Sequence, residues 1–338
     1  MIAKAFTGNW KRRKPCSVNR VQALYPDLEP YTTHRLAVDA RHTLYLEECG
    51  NASGIPVVFL HGGPGSGCKA YHRCFFNPQR YRIILYDQRG CGRSTPFGEL
   101  THNTTPHLVE DLDRIRHWLG IERWLLFGGS WGATLALLYA QAFTERVLGL
   151  ILRGSFLARQ CDLDWFVKDG VNRIYPEQWQ LLIADLDDSE RRDIVTALHR
   201  RLREGDKTVS RRAAQAWSAW GGQVALGTAF DPTIGEQDDG DESLIGQAGI
   251  ELHYAVHRYF IEENQILEHC RRLRGLPTAI IHGRCDLVCP AEAAYRLKQQ
   301  LADAELTILP DAGHIANGDP AMIDALLHAS DAMVARFS

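Results

Sequence analysis

Apolar and polar positions alternate along the chain in two different periods, and the change between them divides it. HTLYLEEC (42–49) nearly alternates, whereas PVVFL (56–60), reached through the turn-like GNASG, is continuously apolar; both patterns predict strands. RIILYD (82–87) and RWLLFGG (123–129) repeat the buried-strand pattern. Between them Leu108, Leu112, Ile115 and Leu119 fall at helical spacing, so the segment predicts a β-α-β unit. VLGLILRG (147–154), PTAIIHG (277–283) and AELTILP (304–310) read as further strands of a parallel sheet. From about 157 to 272 the strand signal vanishes, and helical stretches such as SRRAAQAWSAW (210–220) replace it. The expected architecture is α/β: a mostly parallel central sheet with helices on both faces, interrupted by an inserted helical cap. EQDDGDES (236–243) reads as a solvated acidic loop.

Composition narrows the function. Hydrophobic residues make up 45% of the 338 and charged residues 23%, which excludes disorder of the whole chain. Lys plus Arg number 38 against 41 Asp plus Glu, a net charge of -3, so no global field favours nucleic acid or an anionic membrane. No apolar run reaches the ~18 residues of a membrane helix, and MIAKAFTGNWKRRKPC lacks the ~7 to 15 residue apolar stretch of a signal peptide. The cytoplasm is the expected compartment. Nine cysteines without CxxC pairs or His-Cys clusters read as reduced thiols, and no metal is implied. The basic cluster Lys11 to Lys14 reads as part of a flexible N-terminal extension spanning 1–20.

Candidate chemistry sits where strands end. Gly128-Gly129-Ser130-Trp131-Gly132 follows a strand and precedes the helical run ATLALLYAQAF, the context in which G-x-S-x-G forms a nucleophile elbow. His61-Gly62-Gly63-Pro64-Gly65 follows PVVFL, where the other half of an oxyanion hole belongs; its donors are expected to be the amides of Gly63 and Trp131. A serine hydroxyl needs a base, and the base an orienting carboxylate. Asp286 after AIIHGRC and His314 in LPDAGHIAN supply them in the expected chain order. Of the 14 histidines, His61, His282 and His314 neighbour glycine loops, and only His314 has the right place for the base. Cys289, three residues past Asp286, is expected to be a bystander close to the site.

These residues carry a resemblance to the prolyl aminopeptidases (proline iminopeptidases), serine peptidases of the α/β-hydrolase fold. LYPDLEPY, HTLYLEECGN, PVVFLHGGPGSGC, YDQRGCGRS, GGSWGATLAL, LRGSF, IHGRCDLVCP and AGH all match, covering most of residues 24 to 318. The resemblance implies Ser130 as nucleophile, Asp286 and His314 completing a triad, Gly63 and Trp131 in the oxyanion hole, a small peptide or aminoacyl substrate, and no cofactor. With the strand signal lost from about 157 to 272, the expected division is an α/β-hydrolase catalytic domain from 21–156 plus 273–338 and a helical cap domain from 157–272.

The departures lie in the cap. The family's W-x-x-W-E pattern, whose glutamate binds the substrate amine, is met by Trp217-Ser218-Ala219-Trp220 followed by Gly221. The second amine-binding glutamate corresponds to Glu251 in ELHYA, where Ala255 replaces an aromatic residue. Phe156 and Phe166 match ring-packing positions, while Val167 stands where an aromatic is expected. The leading expectation is release of an N-terminal residue, preferentially proline, through an acyl-enzyme. An esterase or amidase with remodelled cap specificity is one alternative, and a catalytically silent binding module is another.

Overall fold

The computed structural model describes residues 24–231 and 240–337; the proposed extension over 1–20 and the acidic residues 236–239 lie outside them. Eight strands form one sheet: β1 (Thr32–Ala37), β2 (Thr43–Gly50), β3 (Ile55–Leu60), β4 (Tyr81–Tyr86), β5 (Trp124–Gly129), β6 (Val147–Arg153), β7 (Thr278–Gly283) and β8 (Glu305–Leu309). Their order is β1-β2-β4-β3-β5-β6-β7-β8. β2 runs antiparallel to β1 and β4, and every other pairing is parallel.

The continuously apolar runs are explained by burial on both faces. In β3 and β5, Val58, Leu60 and Leu126 enter one core, while Val57, Phe59, Leu125 and Phe127 enter the other. The first core is covered by α1 (Thr105–Trp118), which contributes Leu108, Leu112 and Ile115, and by α2 (Trp131–Ala142).

β1 escaped the sequence reading because it is an edge strand. TTHRLA alternates between half-buried and exposed positions, so its pattern is largely polar.

Between β6 and β7 the chain runs through α3 (Gln160–Val167), α4 (Pro176–Leu182), α5 (Ile194–Glu204), α6 (Lys207–Leu226), α7 (Asp241–Val256) and α8 (Gln265–Glu268). α6 starts at Asp206, whose carboxylate accepts from the amides of Thr208 and Val209 at 2.8 and 3.0 Å, satisfying two orphan donors. Leu198, Leu202, Trp217, Trp220 and Leu252 join α5, α6 and α7 around a core of their own. Asp241 and Glu242 open α7 and are not part of a loop; Asp241 pairs with Arg211 at 3.1 Å. After β7, α9 (Ala291–Gln300) joins the first core, and α10 (Pro320–Ala335) packs Met322, Leu326 and Met333 into the second, so helices cover both faces.

Candidate active site

The strand ends converge below the inserted helices. Ser130 occupies the turn between β5 and α2 with φ 57° and ψ -125°, a strained conformation for a residue with a Cβ. The flanking glycines explain how so sharp a turn packs. A Cβ on Gly128 would lie 2.2 Å from the Gly132 carbonyl oxygen, and one on Gly132 would lie 2.0 Å from that of Leu60. The turn thus presses against the end of β3, where His61 to Gly65 begin.

Among the described residues, the backbone amides of Gly63 and Trp131 donate to no protein acceptor. The two segments that carry them are tied together by Gln88. Its amide nitrogen donates to the His61 carbonyl at 3.0 Å, and its oxygen accepts from the Trp131 indole at 2.9 Å. Two N–H groups without a protein acceptor, on the two segments that meet beside Ser130, are the kind of donors that a developing oxyanion requires.

Asp286 and His314 meet as expected. The Nδ1 of His314 lies 2.8 Å from Oδ2 of Asp286, whose Oδ1 accepts from the amides of Val288 and Cys289 at 3.0 and 2.8 Å. Burial would push the Asp286 carboxyl up, but the charge of His314 and its hydrogen bond hold it below the usual carboxylate range.

The other two glycine-adjacent histidines have structural partners. His61 accepts from the Gln88 amide at 3.0 Å through Nε2 and donates through Nδ1 to the Gly62 carbonyl at 2.9 Å. His282 accepts from the Ser155 amide at 3.2 Å and donates to the Cys289 carbonyl at 2.7 Å. His314 alone of the three lines the cavity.

That cavity, about 530 Å³, is lined by Gly63, Ser130, Phe156, Phe166, Glu251 and His314, so every side chain assigned from the sequence except the enclosed Asp286 and Trp131 faces it. Cys289 also lines it, and its thiol faces the Ser130 hydroxyl. Burial pushes that thiol well above its ordinary pKa, which leaves it protonated and weakly nucleophilic.

Glu251, on α7, accepts from the Trp217 indole at 2.7 Å and from the Gln247 amide at 3.0 Å. It makes no ion pair among the described residues, and burial raises its pKa. Asp162 lines the cavity too, yet Arg159 engages it at 2.6 and 3.1 Å. Gly221 lies on the cavity wall inside α6, and a Cβ there would meet nothing within 4 Å.

Residues 55–321 match the family model described as the alpha/beta hydrolase fold. A probable proline iminopeptidase of Leptolyngbya boryana is 44% identical over 317 residues, covering 94% of this chain and 98% of that protein. The proline iminopeptidase of Xylella fastidiosa strain 9a5c is 45% identical over 315 residues, 93% of this chain and all (100%) of that one.

The chain belongs to the proline iminopeptidase family.

An Arabidopsis thaliana proline iminopeptidase is 42% identical over 93% of the chain and 83% of its own length. Solved structures agree at the level of fold. A bromoperoxidase from Bacillus anthracis superposes with a TM-score of 0.62 at 18% identity, over 90% of this chain and 100% of that one. A proline iminopeptidase-related protein from Thermus thermophilus gives 0.56 at 23% identity, over 90% and 98%. The sequence alone did not single out Gln88, which ties the two glycine segments, or Gln247 and Arg153, which line the cavity. The i, i+4 spacing of Gln247 and Glu251 on one helix was the available signal for the second of these.

Proposed function

We propose that this chain is a serine aminopeptidase that releases an N-terminal residue, preferentially proline, from small peptides through an acyl-enzyme. The carrying observation is a carboxylate with no cation among the described residues, Glu251, in the same cavity as Ser130 and His314. A buried carboxylate held only by neutral donors is costly unless a cation joins them, and the free amine of a peptide N-terminus is such a cation. Phe156 and Phe166 offer apolar surface for the ring of the bound residue.

In this reading the Ser130 oxygen attacks the carbonyl carbon while Nε2 of His314 takes its proton; Nδ1 is committed to Asp286. The Gly63 and Trp131 amides receive the oxyanion. Collapse breaks the C–N bond, His314 returns the proton to the leaving amine, and water then hydrolyses the ester by the same route in reverse. Residues 21–156 with 273–338 act as the catalytic domain, and 157–272 act as the cap that carries Glu251. The eight described cysteines are free thiols, which supports a reducing compartment such as the cytoplasm.

Proline naphthylamide, other aminoacyl naphthylamides and short acyl esters, run in parallel on the pure protein, test the reading. Preference for proline naphthylamide over N-blocked esters is expected. Turnover of esters alone would replace the aminopeptidase with an esterase whose cap has been remodelled around Gly221.

A further inference from the structure

The cavity holds a second charge, of opposite sign, without an ion pair among the described residues. Arg153 ends β6 and lines the wall of the cavity together with Tyr71 and His72. Its guanidinium packs against the nucleophile turn so closely that a Cβ on Gly129 would lie 2.5 Å from one of its nitrogens. One nitrogen donates to the His314 carbonyl at 2.5 Å. Other buried arginines have carboxylates: Arg73 has Glu47, Arg89 has Asp111, and Arg159 has Asp162. Arg153 has none within ion-pair distance among the described residues; burial pushes its pKa down, and the charge of Asp286, acting from beyond that distance, offsets this only in part. A single carbonyl uses one of its five N–H donors, and an enclosed guanidinium with unused donors is poorly compensated.

We propose that Arg153 is the receptor for the α-carboxylate of the leaving amino acid, which makes short peptides with a free C-terminus, dipeptides above all, the favoured substrates. The inference rests on the aminopeptidase reading and deepens it. A dipeptide at neutral pH is a zwitterion with its scissile amide between an ammonium and a carboxylate. The cavity mirrors it: among the described residues Glu251 on α7 has no cation and Arg153 on β6 no carboxylate within ion-pair distance, and Ser130 lies in the same space. Guanidinium and carboxylate are matched for a bidentate pair, in which two parallel N–H groups fix the leaving group as well as bind it. A naphthylamide or a C-terminal amide carries no such charge and forgoes the contact.

The test compares kcat/KM for Pro-Ala with a free carboxylate, Pro-Ala amide and proline naphthylamide, in the wild type and in Arg153→Met and Arg153→Lys. The wild type is expected to favour the free acid over the amide by about tenfold or more, the rate equivalent of one charge-assisted bond. In Arg153→Met that ratio falls to near one, and in Arg153→Lys part of it survives. Any loss caused by releasing the His314 carbonyl affects both substrates and cancels in the ratio.

An acid-to-amide ratio near one in the wild type overturns the inference even if neither variant folds. So does a ratio that Arg153→Met leaves unchanged, which would make Arg153 a positioning residue for the His314 loop. In both cases turnover of proline naphthylamide leaves the aminopeptidase reading standing. If the wild type cleaves none of the three proline compounds, that reading fails and this inference falls with it.

Discussion

In the proposed mechanism Ser130 and Glu251 have separate roles, and each can be removed separately. Ser130→Ala should keep the fold and lower kcat by up to ~10⁶, because a triad acts as a unit; circular dichroism and turnover measured together check this. Glu251→Ala should lower kcat/KM on free-amine substrates by roughly 10 to 150-fold, the equivalent of ~1.5 to 3 kcal/mol, with a much smaller loss on N-blocked esters. pH adds a second signature. Burial raises the Glu251 pKa, so the charged form is favoured only above the ordinary carboxylate range. Binding of free-amine substrates should therefore improve as pH rises through that raised value, and Glu251→Gln should erase this limb from the kcat/KM profile. The same sign governs stability: a carboxyl whose folded pKa is raised stabilises the fold below its unfolded pKa and loses that contribution as pH rises through the folded one. Glu251→Gln should accordingly raise Tm at neutral pH, with no gain at acid pH.

Among the helices, α6 and α7 shape the cavity as a pair. Trp217 on α6 holds the carboxylate that α7 presents, and Gly221, one turn further along α6, leaves open space. Its neighbour differs, since a Cβ on Gly222 would lie 2.5 Å from the Phe230 ring. Gly221 lies in the helix interior and has no left-handed backbone to protect, so Gly221→Glu is expected to be tolerated and to add a second carboxylate for the substrate ammonium. The expected outcome is higher kcat/KM on proline naphthylamide by about tenfold, together with a small rise in Tm from replacing a helical glycine. Unchanged kinetics in a folded Gly221→Glu protein would show that the open wall serves some part of the substrate other than the amine.

Across the molecule, the YDQRGCGRS segment serves as a clamp. Asp87 accepts from the Cys68 amide at 2.7 Å and from Arg93 at 2.8 Å, holding the loop after β3. Arg89 engages Asp111 on α1 at 2.6 and 2.8 Å, Asp39 between β1 and β2 at 2.6 Å, and the His102 carbonyl at 2.8 Å. Arg89→Met should destabilise the protein by roughly 3 to 5 kcal/mol, read as a lower urea midpoint, because it strands the buried Asp111 without its cation. α7 joins the inserted helices to the sheet: Ala248 and Leu252 enter the helical core, Ile250 and Tyr254 the core beside the sheet, and the Tyr254 hydroxyl donates to Asn103 at 2.9 Å. The place of Glu251 on the wall of the cavity that Ser130 also lines is therefore set by packing on both sides of one helix.

Local spacing along the chain was enough for several of these features. Buried strands read as continuous apolar runs, α1 as a 3.6 period, and the nucleophile turn as glycines flanking Ser130 between a strand and a helix, because each depends on backbone geometry over a few residues. Asp286 and His314 were legible from chain order at strand ends. β1 was not, since an exposed edge strand lacks the apolar period. The charge partners of the cavity came from the folded arrangement alone. Glu251 meets Trp217 34 positions away, Arg153 meets the His314 carbonyl across 161, and neither finds an ion pair among the described residues. Whether a charge is compensated depends on what the fold brings within a few ångströms of it, and no spacing along the chain carries that information.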